Sequence, residues 1–210
     1  MGLGVDEAGK GPVLGSMFAA AVRVEPDRLP AGVADSKRLS PDRRTELAER
    51  IRAAGETAVV EVPVARIDDP ETDMNGLTLW AHAEAIDRLA ADGDAVRADA
   101  ADTDSARFER QLTDAVAVDA DVSAAHRADE TDRVVAAASI LAKVARDAHV
   151  DALAVEYGAV GSGYPGDERT REFLRSYVEQ EGELPACARR SWRTSRDVLA
   201  ASEQASLDRF

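Results

Sequence analysis

Apolar and polar residues alternate in blocks along this chain, and the blocks predict strands that alternate with helices. Residues 1–7 and 13–24 are apolar runs that predict two strands, joined by a turn with glycine at positions 9 and 11. Because this connection is too short for a crossover helix, the two strands must run antiparallel.

Helix signals follow the second strand. Ser40 suits an N-cap and Pro41 suits a first helical turn, so we expect a helix to Ala54 that ends at Gly55. Further strands are predicted at 57–64, 96–99 and 116–122, and further helices at 75–91, 105–115, 129–157, 167–180 and from about 192. Strands that alternate with helices are typical of an α/β domain, and the antiparallel first pair makes its sheet mixed.

Length and composition favour one domain without a membrane segment. The 210 residues are 45% hydrophobic, which is enough for a core. We expect a single domain over residues 1–210, with a helical extension at about 160–203 and a tail peptide at 204–210. No apolar run is long enough to span a bilayer and the N-terminus lacks a signal-peptide pattern, so the prediction is a cytoplasmic protein, and we expect a monomer. The single cysteine, Cys187, excludes an internal disulfide and a cysteine-based zinc site.

The charge balance is strongly acidic. Asp and Glu number 40 against 26 Lys and Arg, a net charge of −14, and only Lys10, Lys37 and Lys143 are lysines. An acid excess with few lysines is typical of a surface suited to a very salty cytoplasm, where salt screens the self-repulsion. The alternative is an acidic protein that avoids polyanions.

Four acidic side chains occur where an α/β sheet would gather them. Asp6 and Glu7 end the first strand, Asp99 ends the strand at 96–99, and Asp129 stands at the start of the long predicted helix. Crowded carboxylates repel each other unless cations lie between them, and oxygen ligands favour Mg²⁺ or Mn²⁺. Two such ions about 4 Å apart can activate a water and stabilise the leaving oxygen of a phosphodiester.

The alternative for each acid is a solvated surface position, and Asp129 by itself could be a helix N-cap. Other acids in the same part of the chain are interpreted as surface residues. These are Asp92, Asp94, Asp102 and Asp104.

Six short segments, in this order along the chain, resemble the motifs of the archaeal ribonuclease HII family. They are Asp6–Pro12, Asp35–Leu39, Asp99–Asp102, Ala128–Asp129, Ala137–Val144 and Gly161–Pro165. The resemblance covers nearly all of the chain, and six motifs in order are more specific than any single one.

The resemblance implies a ribonuclease H-like fold, with a mixed central sheet flanked by helices and a small helical C-terminal part. It implies a Mg²⁺- or Mn²⁺-dependent endonuclease of DNA repair and replication. Such an enzyme cuts the RNA strand of RNA–DNA hybrids and incises 5′ of single ribonucleotides in duplex DNA, leaving 5′-phosphate and 3′-hydroxyl ends. The catalytic, metal-binding carboxylates of the family fall on Asp6, Glu7, Asp99 and Asp129.

The resemblance also implies which residues contact the substrate. Its glycine turn falls on Gly9, Lys10 and Gly11, and a backbone without Cβ atoms can approach a sugar and hydrogen-bond its 2′-OH. Its substrate-reading tyrosine falls on Tyr164, which could stack on the next sugar; the alternative is a packed turn residue. Further substrate-binding candidates within these motifs are Lys37, Ser139 and Lys143.

Lys10 departs from the family, whose turn usually carries arginine there. The related type HIII enzymes carry lysine, but Tyr164 favours type HII. Lysine cannot contact phosphate bidentately as arginine does, so its contact is an open point. A P-loop is excluded, because Gly11 rather than Ser or Thr follows Lys10 and a strand follows where a helix is required.

Two groups of basic residues are candidates for phosphate contacts, with a solvated helix face as the alternative. They are Arg189, Arg190, Arg193 and Arg196 around Trp192, and Lys37, Arg38, Arg43 and Arg44. No role is assigned to His82, His126 or His149.

The C-terminus resembles a sliding-clamp-binding peptide. Gln204, Leu207 and Phe210 follow its spacing, and a short helical turn would place the two apolar side chains in a pocket of the clamp. The alternative is a frayed tail.

Two other functions remain open at this point. One is a non-catalytic module that binds nucleic acid or a sliding clamp. The other is a different two-metal nuclease on the same fold, for instance one that resolves DNA junctions.

Overall fold

The computed structural model describes residues 1–33 and 39–207, and for 205–207 the backbone only. A five-stranded sheet has the strand order β3-β2-β1-β4-β5. The strands are β1 (Gly2–Ala8), β2 (Met17–Val24), β3 (Glu56–Val62), β4 (Ala95–Asp99) and β5 (Asp121–Ala125). Strand β1 is antiparallel to β2 and parallel to β4, which is parallel to β5, so the predicted mixed sheet is confirmed.

Eight α-helices lie within the described residues, and none of them is long and apolar enough to cross a membrane. They are α1 (Pro41–Ala54), α2 (Val64–Ile67), α3 (Met74–Asp87), α4 (Ser105–Ala115), α5 (Ala128–Thr131), α6 (Arg133–Tyr157), α7 (Glu168–Glu181) and α8 (Arg193–Leu207). Helix α1 has the predicted bounds, because the Ser40 hydroxyl accepts from the Arg43 amide and Pro41 occupies its first turn.

The prediction of a strand at 116–122 is wrong, since β5 begins only at Asp121. The preceding backbone bonds to side chains instead of a neighbouring strand. The Ala117 amide donates to Asp87 at 2.9 Å and the Asp119 amide to Asp92 at 3.2 Å. Carboxylates 30 and 27 residues earlier in the chain thus replace the ladder that the alternating pattern predicted.

The single helix predicted at 129–157 is divided in two. Asp132 separates α5 from α6, and its Oδ1 accepts from the amides of Val134 at 2.7 Å and Val135 at 3.1 Å. Asp132 therefore caps α6, and Asp129 belongs to a separate four-residue helix.

The chain divides into two compact units. The first unit comprises residues 1–8, 18–61 and 73–146, and the second comprises 9–17, 62–72 and 147 onward. The single-domain organisation stays a prediction.

In the first unit, α1 and α6 cover one face of β1 and β2. Leu47, Ile51 and Ile140 are fully buried there among many alanines. The small side chains let the backbones approach closely. A Cβ atom on Gly4 would lie 2.5 Å from the Val135 amide nitrogen, so glycine is needed where α6 crosses β1. On the other face, α3 packs against β1 and α4.

The second unit has its own apolar core. Leu14, Val160 and Leu174 are buried in it, and the rings of Tyr157, Phe173 and Tyr177 pack at its edge. An isolated antiparallel bridge joins Leu14 to Ala188. The residues around 9–17 are therefore held by the segment near the C-terminus, a contact between distant parts of the sequence.

Candidate active site

The register of the parallel strands brings two of the predicted carboxylates together in the first unit. Val5 on β1 pairs with Ala98 on β4, so the next residues, Asp6 and Asp99, lie side by side at the carboxyl edge of the sheet. Burial and the charges of neighbouring carboxylates raise the pKa values of Asp6 and Asp99. Asp99 acts in this way on Asp6, and Glu7 acts on both aspartates.

Helix α5 adds the fourth carboxylate. The Ala128 amide donates to Asp99 Oδ1 at 2.6 Å, which fixes the start of α5 beside the end of β4. Asp129, the next residue, is buried with 6% of its surface exposed, and its charge raises the pKa of Asp99. All four predicted carboxylates therefore lie in one electrostatically connected group.

Asp6 points toward α6. It is 5% exposed, and the Ser139 hydroxyl donates to its carboxylate. Ser139 is itself fully buried and accepts from Lys143 Nζ at 2.7 Å. Ser139 and Lys143, both predicted as substrate contacts, thus form a chain of hydrogen bonds that ends on Asp6.

Glu7 points toward the opposite face, because successive side chains of a strand alternate. Its Oε2 lies 2.8 Å from His82 Nε2. His82 is fully buried on α3 and packs edge-on against Phe108. His82 Nδ1 has no hydrogen-bond partner among the described residues, which fits a tautomer whose Nε2–H donates to Glu7.

The sequence reasoning left His82 without a role. The available signal was its place in the predicted helix at 75–91, three and four positions before the apolar residues Ala85 and Ile86. Nothing in the sequence indicated that Glu7 would lie next to His82.

Burial is the first cause of the shifted pKa values in this group. It raises the pKa of Asp6 well above 3.8, with the neighbouring Glu7 charge as the next contribution. It also raises the pKa of Asp99, against the Ala128 hydrogen bond, which lowers it. Without a cation, the site therefore resists full ionisation.

The carboxylates fit a hard divalent cation by their chemistry, since they offer oxygen ligands and excess negative charge. Within residues 1–33 and 39–207, no three acidic, histidine or cysteine side chains are gathered tightly enough to hold an ion as they stand.

The acids that the sequence analysis assigned to the surface have structural roles. Asp104 accepts from the Arg107 amide and caps α4, and Asp94 pairs with Arg23. Asp102 is not a surface acid as expected, since it is buried and binds Arg107 through both oxygens at 2.7 and 2.5 Å. The Arg107 hydrogen bonds lower the pKa of Asp102 to about 2.

The glycine turn lies in the second unit. Gly9 has φ of +92°, a conformation that favours glycine. A Cβ atom on Gly11 would lie 3.7 Å from Tyr164 Cε1, so the tyrosine ring lies against the turn with 39% of its surface exposed. The predicted reading residues, Gly9, Lys10, Gly11 and Tyr164, are thus brought together.

Arg189 does not reach the surface to contact phosphate, so that expectation is wrong for this residue. It is fully buried, and its guanidinium donates to the carbonyls of Gly9 at 2.6 Å, Lys10 at 3.0 Å and Gly15 at 2.8 Å. Arg190, Arg193 and Arg196 are exposed, as a phosphate-binding group would be.

Other predicted residues fall partly or wholly outside the described part. Lys37, Arg38 and Phe210 lie outside it. Gln204 lies in α8, which ends at Leu207, so the first part of the tail peptide continues that helix.

Comparison with known proteins gives a consistent picture. The family model for ribonuclease HII matches residues 3–195. A ribonuclease HII of Halobacterium salinarum is 62% identical over 208 residues, which cover 99% of this chain and 98% of that protein. The ribonuclease H2 from Pyrococcus horikoshii OT3 has a TM-score of 0.91 and 35% identity, over 97% of this chain and 99% of that one. A chain of the PCNA:RNase HII complex from Archaeoglobus fulgidus has a TM-score of 0.86 and 39% identity, over 94% and 96%.

Proposed function

Because the chain belongs to the ribonuclease HII family and is a ribonuclease H enzyme, we propose that it incises 5′ of single ribonucleotides in duplex DNA. Family membership also implies an endonuclease that cuts the RNA strand of RNA–DNA hybrids. Its mixed five-stranded sheet flanked by helices is the ribonuclease H-like fold.

The observation that carries the proposal is the register that sets Asp6 beside Asp99. Glu7 and Asp129 join the same electrostatic group. Four carboxylates that repel one another at a sheet edge are a costly arrangement unless cations bind there. The acid residues therefore support a metal-dependent hydrolase.

Asp6, Glu7, Asp99 and Asp129 are the proposed ligands of two Mg²⁺ or Mn²⁺ ions, which would supply activation of the attacking water and stabilisation of the leaving oxygen. The protein's own contribution is to hold the ligands. Ser139, supported by Lys143, orients Asp6, and His82 orients Glu7. Ser139 therefore acts on the reaction through Asp6, and Lys143 remains a proposed substrate contact.

The second unit is proposed to read the sugar. The Gly9–Gly11 backbone would bind the ribose 2′-OH, and the exposed face of Tyr164 would stack on the following sugar. Only Ala8 separates Glu7 from Gly9 in the chain, so the reading turn follows the proposed metal ligands directly.

The C-terminal peptide is proposed to bind a sliding clamp. Gln204 and Leu207 lie in α8 and Phe210 follows, and the complex of PCNA with the A. fulgidus relative supports such a partner. Removal of residues 204–210 should abolish clamp binding and leave incision of a short duplex unchanged. A truncated protein that still binds the clamp would contradict the assignment.

The acidic surface is proposed to suit a salty cell interior, which the identity to a Halobacterium salinarum protein supports. At molar salt the Debye length falls to about 3 Å, so direct contacts must replace long-range steering toward DNA. A binding constant that falls as steeply with KCl as that of a basic relative would contradict this proposal.

The deciding assay uses two duplexes of one sequence, one with a single ribonucleotide and one all DNA, each incubated with Mg²⁺ or Mn²⁺. Incision only of the first, 5′ of the ribonucleotide, is the expected result. Cutting of both would indicate a general nuclease, and cutting of neither would contradict the proposed incision activity.

Asp129→Asn should abolish incision with an unchanged circular dichroism spectrum, whereas full activity would exclude Asp129 from the site.

A further inference from the structure

The strongest unassigned feature is the buried guanidinium of Arg189. Its three donor nitrogens each reach a backbone carbonyl, those of Gly9, Lys10 and Gly15, at 2.6 to 3.0 Å. Two of these carbonyls belong to the glycine turn. The third, on Gly15, lies at the far end of the same loop, so one side chain joins both ends of it.

Arg189 has an unusual environment for a cation. Among the described residues it forms no ion pair with a carboxylate, and burial lowers its pKa to about 10, which still leaves it charged at neutral pH. A charged group in the interior is costly unless hydrogen bonds compensate. The three carbonyls and the Trp192 ring, 4.8 Å from the guanidinium carbon, provide that compensation.

A second set of contacts fixes the residues that follow Arg189. Asp68 accepts from the Arg190 amide at 2.7 Å, and from the Ser191 amide at 3.0 Å and hydroxyl at 2.6 Å. The Trp192 indole N–H points to the Gly11 carbonyl at 3.4 Å. The carbonyls of the glycine turn are therefore tied to the 189–192 segment, and that segment is tied to Asp68.

We propose that Arg189 is the positioning residue of the glycine turn, and that Asp68 supports it, so that the turn discriminates ribose from deoxyribose. This inference rests on the proposed function of the turn. Glycines lose more conformational freedom on ordering than other residues, so a Gly-Lys-Gly turn does not hold one shape by itself. A planar guanidinium can bind several carbonyls in a fixed geometry, whereas a lysine ammonium is a point charge on a flexible stem.

The test is a binding measurement with the full-length protein. Dissociation constants are measured in Ca²⁺, chosen as a probe ion to limit cutting, for a duplex with one ribonucleotide and for its all-DNA twin at one KCl concentration. The dissociation constant of the all-DNA duplex divided by that of the ribonucleotide duplex is the measure of ribose discrimination. A purely structural role would not change this ratio selectively, since loss of folded protein weakens both complexes alike.

Arg189→Lys should reduce the ratio by about 10-fold, which corresponds to about 1.4 kcal/mol, with the all-DNA constant unchanged, because a lysine ammonium cannot hold the three carbonyls in one fixed geometry. Asp68→Asn should change the ratio in the same direction by less. Arg175→Lys is the matched control, since its side chain is exposed on α7 and pairs with Glu168 instead of the turn. It should leave the ratio unchanged.

An unchanged ratio in folded Arg189→Lys and Asp68→Asn would overturn the proposal. If Arg189→Lys does not fold, Asp68→Asn and Trp192→Phe decide the question, since both leave the guanidinium in place. A wild-type protein without any ribose preference would instead contradict the proposed function of the turn.

Discussion

The carboxylate group of the first unit and the glycine turn of the second unit have opposite electrostatic environments. Around Asp6, acidic groups crowd together, and burial and mutual repulsion raise the pKa values of Asp6 and Asp99. Around Arg189, one buried cation meets three carbonyl oxygens and an aromatic ring. The negative charge of the first region is balanced only when a cation binds, whereas the second region contains a cation of its own, the Arg189 guanidinium.

The difference shows which electrostatic arrangement suits metal binding and which suits substrate recognition. A group of like charges gains stability only when a ligand of opposite charge binds, so it suits a reversible metal site. A turn whose carbonyls are already satisfied suits recognition, because its shape is set before the substrate arrives. Variants of the two regions should therefore behave oppositely in stability measurements.

The largest expected effect comes from removing a charge from the carboxylate group. Asp6→Asn should reduce incision by about 10³-fold or more, because a metal ion contributes several kcal/mol to the transition state. The same change should raise the melting temperature of the metal-free protein, since it relieves repulsion at a buried site. Steady-state incision and thermal unfolding in EDTA measure both effects.

The control for this variant is Asp114→Asn, which changes an exposed acid of α4 and should alter neither quantity appreciably. Mg²⁺ should raise the melting temperature of the wild type and have a smaller effect on Asp6→Asn. A metal-free Asp6→Asn protein less stable than the wild type would contradict the proposed repulsion.

The next effect concerns the orientation of Glu7. His82→Leu removes the donor at 2.8 Å from Glu7 and should lower incision by about 10- to 100-fold, the usual cost of losing a partner of a metal ligand. His82→Gln keeps an amide donor of similar reach and should recover part of the activity. Equal activity of the two variants would show that the donor is unimportant.

In the second region the expected effect is on stability and has the opposite sign. Arg189→Lys should lower the free energy of unfolding by about 1–3 kcal/mol, because carbonyls of the turn lose their donors in the interior. Urea unfolding with and without Mg²⁺ measures it, and the stabilisation by Mg²⁺ should equal that of the wild type. An Arg189→Lys protein more stable than the wild type would contradict the stabilising role of the guanidinium.

The smallest effect is a pH dependence confined to the carboxylate group. Because the folded-state pKa values of Asp6 and Asp99 are raised, their destabilisation is complete above those values and is relieved as pH falls through them. The stability difference between Asp6→Asn and the wild type should therefore shrink in EDTA as pH falls through the raised pKa of Asp6 toward the ordinary range of carboxylates. A difference that grows toward acid pH would contradict the raised pKa of Asp6.

Several elements follow from local sequence, and others do not. Ser40, Pro41 and Gly55 predicted the bounds of α1 because capping acts within a few residues. The strand at 116–122 and the continuous helix at 129–157 were wrong. In both cases side-chain carboxylates, from Asp87, Asp92 and Asp132, bind backbone amides that the periodic pattern assigned to regular structure.

By itself, the sequence determined the alternation of strands and helices, the antiparallel first hairpin, the family motifs and the identity of the four acids. Only the tertiary structure decided that Glu7 meets His82 and that Arg189 turns inward to the glycine turn instead of outward to phosphate. The physical reason is distance along the chain. Periodicity and capping act over a few residues, whereas these two contacts join residues that lie 75 and 180 positions apart in the chain.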